Sequence, residues 1–206
     1  MQLSITTPRP VLSGFLRLAR LLALPLLAAA CSSPAPAPQL PPLTYNALPP
    51  IRLDVAQVQI DQSYQAPGTA PHIDHLFPQI PAQVAAQWAR DRLQAAGQSG
   101  QAVYTVTDAS ATDTVLPRSQ DLSAIFTTEQ SNRYDLNIAV RLQLTSGDGT
   151  RHGTVQVSAA RSQTVSEKTT PEQRKVVWYQ LTQQTMNDLN VKLEKEIGAH
   201  LAGFLQ

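Results

Sequence analysis

Residues 51–206 predict an α+β two-layer sandwich, a mixed four-stranded sheet with two helices on one face, in the order β-α-β-β-β-α. Three patterns lead there. Residues 134–144 alternate apolar and polar with strict period two, the signature of a strand with one buried and one wet face. Two stretches, 81–96 and 171–201, place apolar residues at helical spacing. A strand-helix-strand unit precedes a hairpin, so the first two strands run parallel through a right-handed crossover and the later ones antiparallel.

The elements follow in order. Ile51, Leu53 and Val55 alternate, and Val58 and Ile60 resume on a shifted phase, so a bulge is expected near Ala56-Gln57. A proline-bearing loop covers 61–78. Helix formers run from Pro81 to Ala96, with Val84, Ala85, Trp88 and Leu93 toward one face and Gly97 where the helix stops. Residues 101–107 alternate as a second strand. In the third, Tyr134, Leu136, Ile138, Val140, Leu142 and Leu144 interleave with the polar Asp135, Asn137, Arg141 and Gln143. Gly147-Asp148-Gly149 turns the chain into Val155, Val157 and Ala159 of the returning strand. Thr170, Pro171 and Gln173 have the order of a capping box with proline at the first helical position. Leu189, Leu193, Ile197, Leu201 and Leu205 then recur every four residues, supported by Trp178, Leu181 and Met186. That stripe belongs against a sheet, and its spacing is nearer four than the 3.5 of a coiled coil.

The N-terminal fifty residues have a different grammar. Residues 1–30 read as an export signal. Arg9, Arg17 and Arg20 come without any acid, then an apolar run from Leu21 to Leu27, then Ala28-Ala29-Ala30. The apolar run is far shorter than the ~20 residues of a membrane span. Cys31, the single cysteine, follows at once. Residues 31–50 carry seven prolines and favour an extended polyproline spacer, leaving 51–206 as one domain. Of the 16 basic residues three lie in the signal, so 13 remain against 15 acids, a charge of −2. That balance gives no electrostatic basis for a nucleic-acid partner or a polybasic membrane patch.

Leu27-Ala28-Ala29-Ala30-Cys31 resembles the lipobox of bacterial lipoproteins, with Ala28 where leucine is usual. The resemblance implies a diacylglyceryl group on Cys31, palmitate-type acyl chains and cleavage that leaves Cys31 first. Each buried methylene then contributes about 0.8 kcal/mol to membrane anchoring. Ser32 after the cysteine implies, by the same family's sorting rule, the periplasmic face of the outer membrane. Ordinary cleavage near Ala30 would instead leave a lone thiol in an oxidising compartment.

Lipobox, proline-rich spacer and β-α-β-β-β-α together resemble small envelope lipoproteins that assist transport machines. Two families share this plan: the lipopolysaccharide-assembly lipoprotein and the auxiliary lipoproteins of ABC-type transporters. Leu53-Asp54-Val55, Asp188-Leu189-Asn190 and Leu193-Glu194 are similar to the second. The resemblance implies a non-enzymatic accessory component of a transport or assembly system, partnered by an envelope protein or lipid.

No G-x-S-x-G elbow, P-loop or H-E-x-x-H occurs, so the sequence assigns no catalytic residue, cofactor or metal. Two stretches stand out. His72, Asp74 and His75 offer two imidazoles and a carboxylate within four residues, which would make a metal-dependent envelope enzyme if another ligand joined them. A loop histidine beside proline is more often solvated or capping, and His152 and His200 are isolated. The connection from Leu116 to Glu129 holds Leu122, Ile125 and Phe126 at one-turn spacing, either folded onto the core or offered to a partner. Tyr64, Ile73, Leu76 and Phe77 carry the same ambiguity, whereas Trp88 and Trp178 read as core. A structural lipoprotein linking outer membrane to cell wall is the remaining alternative.

Overall fold

Strand β1 (Ile51–Leu53) and strand β2 (Gln57–Gln62) lead through a one-turn 3-10 helix at Asp74–Leu76 into helix α1 (Pro81–Arg92) and strand β3 (Leu93–Ala95). Strands β4 (Gln101–Asp108), β5 (Ala111–Val115), β6 (Gln130–Thr145) and β7 (His152–Ser166) follow, and helix α2 (Pro171–His200) and a one-turn 3-10 helix at Ala202–Phe204 end the series. The computed structural model describes residues 39–117 and 130–206.

The main sheet has the mixed character that the sequence predicts. β2 runs parallel to β4, with Val58 opposite Ala102 and Ile60 opposite Tyr104. β4 is antiparallel to β6, and β7 pairs along the whole of the opposite edge of β6. β5 continues the line of β4 beside β6, with Ala111 opposite Leu136. The second rank is therefore one line bent at residues 109–110 and reaching Val115, beyond the 101–107 that the sequence predicts. The alternation of Ala111-Thr112-Asp113-Thr114-Val115 is too weak to announce β5, because its core-side Asp113 bonds Asn132 instead of packing.

Tyr134, Leu136, Ile138, Val140, Leu142 and Leu144 are all buried, as period two requires. Both helices cover that face. Tyr104, on the core side of β4, donates its hydroxyl to the carbonyl of Ala85 in α1. Leu181, Met186, Leu189, Leu193 and Ile197 bury one stripe of α2. The capping box is complete: Thr170 accepts from the Gln173 amide at 3.2 Å, and the Gln173 side chain accepts from the Thr170 amide at 2.9 Å. Leu201 is buried just past the helix end, while Leu205 is partly exposed beyond it.

Three expectations are corrected. The phase shift near Ala56-Gln57 is not a bulge, because β1 and β2 belong to different sheets, β1 pairing in parallel with β3. The first helix stops at Arg92, and Leu93–Ala95 becomes β3. Helix formers lose here to pairing with β1, a non-local contact that outweighs propensity. Gly97 serves that junction, since a Cβ there would lie 2.6 Å from the Asp54 carbonyl carbon and the Val55 nitrogen.

Finally, packing starts before Ile51. Leu43 and Tyr45 are buried, so the last part of the proline-rich stretch lies on the domain. Among the described residues, no helix is long and apolar enough to cross a membrane.

Candidate functional site

The packed strap, residues 40–45, is held by side chains standing in for a strand partner. Gln79 accepts from the Leu43 amide at 2.8 Å and donates to the Pro41 carbonyl at 2.6 Å. Asp91 accepts from the Tyr45 amide at 2.7 Å. Burial, and then the charge of Asp91, push the Tyr45 phenol well above its ordinary range.

Between this strap, the 75–80 segment and α1 runs an open groove of about 720 Å³, a size suited to a small-molecule ligand. Leu40 and Leu43 form one wall; His75, Phe77 and Ile80 form the other. Its floor is one face of α1, where Gln83, Val84, Gln87 and Arg90 follow at helical spacing. Pro81 fixes the first turn of α1 and so sets the angle of that floor. The lining contains no carboxylate. Arg90 is oriented rather than loose: its Nε donates to Gln87 at 2.9 Å, and Gln87 donates to Asp91 at 2.6 Å. A relay thus runs from the strap backbone through Asp91 and Gln87 to the guanidinium at the rim. Apolar walls, an amide-bearing floor and one positioned cation can bind an amphipathic molecule.

Behind Phe77 lies a buried polar cluster. Phe77 stacks on Trp178 with centroids 5.4 Å apart, and Trp178 meets Tyr134 edge-on at 5.5 Å. Side-chain polar atoms of Tyr64, His72, Asp74, Tyr134 and Trp178 are buried here without a well-formed hydrogen bond to any described residue. The Tyr64 hydroxyl faces the Asp74 carboxylate without closing such a bond. Burial first, and then the Asp74 charge, push its pKa up to about 12. Burial also raises the Tyr134 phenol, opposed by the facing Arg174 guanidinium.

His72, Asp74 and His75 are not brought together as ligands. Asp74 is 1% exposed, His75 lines the groove, and the His72 backbone bridges to Thr112. Among the described residues no group of three or more His, Cys, Asp or Glu side chains could hold a metal ion. Ile73 and Phe77 fold onto the core, Tyr64 is partly buried against it, and Leu76 points outward. Trp88 is wholly core, and Trp178 only partly buried. His152 and His200 are exposed, His200 lying 3.2 Å from Glu196. Cys31, Leu122, Ile125 and Phe126 lie outside the described residues.

Residues that carried the transport-auxiliary resemblance have structural employment. Asp54 accepts from the Gln206 side chain, Asp188 pairs with Arg161 at 2.6 Å, and Asn190 and Glu194 both receive Arg92. The groove escaped sequence reading because three separate segments build it. Its one legible trace is the recurrence of glutamine at 79, 83 and 87.

No protein-family model matches the chain. No curated protein matches it. Among solved structures it is similar to a minor lipoprotein from Acinetobacter baumannii, at 14% identity and a TM-score of 0.37, over 71% of this chain and 93% of that one. It is also similar to rare lipoprotein B from Shewanella oneidensis, at 12% identity and a TM-score of 0.28, over 66% of this chain and 98% of that one. Both TM-scores lie below 0.5, so neither similarity bears on what the chain does.

Proposed function

We propose that this chain is a lipid-anchored envelope lipoprotein that works as a non-enzymatic accessory or binding component of a transport or assembly system, on the periplasmic face of the outer membrane. One observation carries this reading: a large groove of the domain opens beside the strap that leads back to the lipobox. Gln39 follows Cys31 by eight residues, a length that spans at most roughly 30 Å fully extended. Acylation of Cys31 therefore keeps the groove within reach of the bilayer. The lining suits binding, since it combines apolar side chains with the amides of Gln79, Gln83 and Gln87.

Affinity purification of the acylated protein from detergent-solubilised envelopes tests the accessory role. A reproducible envelope partner, lost when Gln83→Trp fills the groove, is the expected result. Recovery of the protein alone from every detergent tried contradicts it.

A further inference from the structure

We infer that the groove between the strap and α1 binds an anionic membrane lipid, with acyl carbons against Leu40, Pro42, Pro78 and Ile80 and the phosphate at Arg90. The inference rests on the lipid-anchor reading above and names the ligand class of the same groove.

Three observations support it. First, charge: Arg90 is the fixed cation of the lining, no carboxylate shares the groove, and no ion pair engages this guanidinium among the described residues. Second, preorganisation: Gln87 holds Arg90 by its Nε and is itself held by Asp91, leaving the two terminal nitrogens for a ligand. A guanidinium presented this way matches two phosphate oxygens in parallel. Asp91 also grips the Tyr45 amide, so the seated strap keeps the guanidinium aimed at the rim. Third, location: the wall formed by Leu40 and Leu43 begins nine residues after Cys31, so the groove opens where lipid is the most abundant amphipathic anion. A soluble anion has no use for the apolar walls, and the phosphate of a zwitterionic lipid brings a cation that this carboxylate-free lining cannot pair.

The mature, acylated protein is reconstituted into vesicles of phosphatidylcholine and phosphatidylglycerol, with one of the two lipids carrying a photoactivatable diazirine on an acyl chain. Flotation reads the anchor; mapping of crosslinked peptides reads the groove. The expected result is crosslinking by phosphatidylglycerol concentrated in residues 40–45 and 75–90. It falls about tenfold in Arg90→Gln, the scale of one lost charge-assisted bond, and disappears in Gln83→Trp, with flotation unchanged in both. If the protein floats but these peptides stay unlabelled, label equally from phosphatidylcholine, or label unchanged in Arg90→Gln, the inference is overturned while the anchor stands. If the wild type does not float, the anchor reading fails and takes the inference with it.

Discussion

Trp88 donates its indole N–H to the side-chain oxygen of Asn190 at 2.8 Å, tying the centre of α1 to α2. Arg92 reaches the same oxygen at 2.8 Å and Glu194 at 2.6 Å, with its guanidinium 5.9 Å from the Trp88 ring centroid. Arg92 is 3% exposed, and a buried cation is tolerated only when paired. Asn190→Ala leaves two buried donors short of an acceptor. It is expected to lower stability by about 1–3 kcal/mol, read from urea unfolding. An unchanged midpoint and slope would contradict the cross-link.

Two glycines give opposite signs. Gly97→Ala forces a Cβ to 2.6 Å from backbone atoms of Asp54 and Val55. It should cost about 1–3 kcal/mol, as overpacking does. Gly198 lies within α2, with nothing within 4 Å of its would-be Cβ. Gly198→Ala should therefore raise stability by about 0.5–1 kcal/mol. Thermal melts of the two variants should move apart on either side of wild type.

Thr170→Ala removes the hydroxyl that accepts from the Gln173 amide. The expected loss is about 0.5–2 kcal/mol, with amide exchange quickening in the first turn of α2 before the rest of the helix. Uniformly faster exchange along α2 would show that the cap acts globally rather than at that end.

Asp148 anchors the turn from β6 to β7. Hydrogen bonds from the hydroxyls of Ser146 and Thr150 and from the Thr150 amide hold its pKa down to about 2. A carboxyl lowered in the folded state contributes stability above its unfolded value of about 3.9, and that contribution fades as pH falls toward 2. Melting temperature should therefore drop between about pH 4 and pH 2 less steeply in Asp148→Asn than in wild type. Equal slopes would mean that the turn does not sense this carboxyl.

The parts legible in the sequence are those where local pattern and tertiary demand agree. The period-two run from Tyr134 to Leu144 and the Thr170 capping box are read directly because each is complete within a dozen residues. β3 is illegible because Leu93 continues the apolar series of α1, and only its pairing with Ile51 makes it a strand. The strap is illegible because proline content suggests a free spacer, whereas the contacts that seat it come from Gln79 and Asp91, more than thirty residues away. His72, Asp74 and His75 looked like a ligand set by proximity along the chain. The turn at Asp74–Leu76 sends the carboxylate inward and His75 to the groove.

Membrane attachment at Cys31 is the premise on which the placement of the groove depends. Cells expressing wild type or Cys31→Ser are labelled with a palmitate analogue, lysed and fractionated. The account predicts label and membrane partitioning in the wild type, with both lost in the variant. Equal sedimentation of the two proteins with the membrane, and equal incorporation of label, would contradict it.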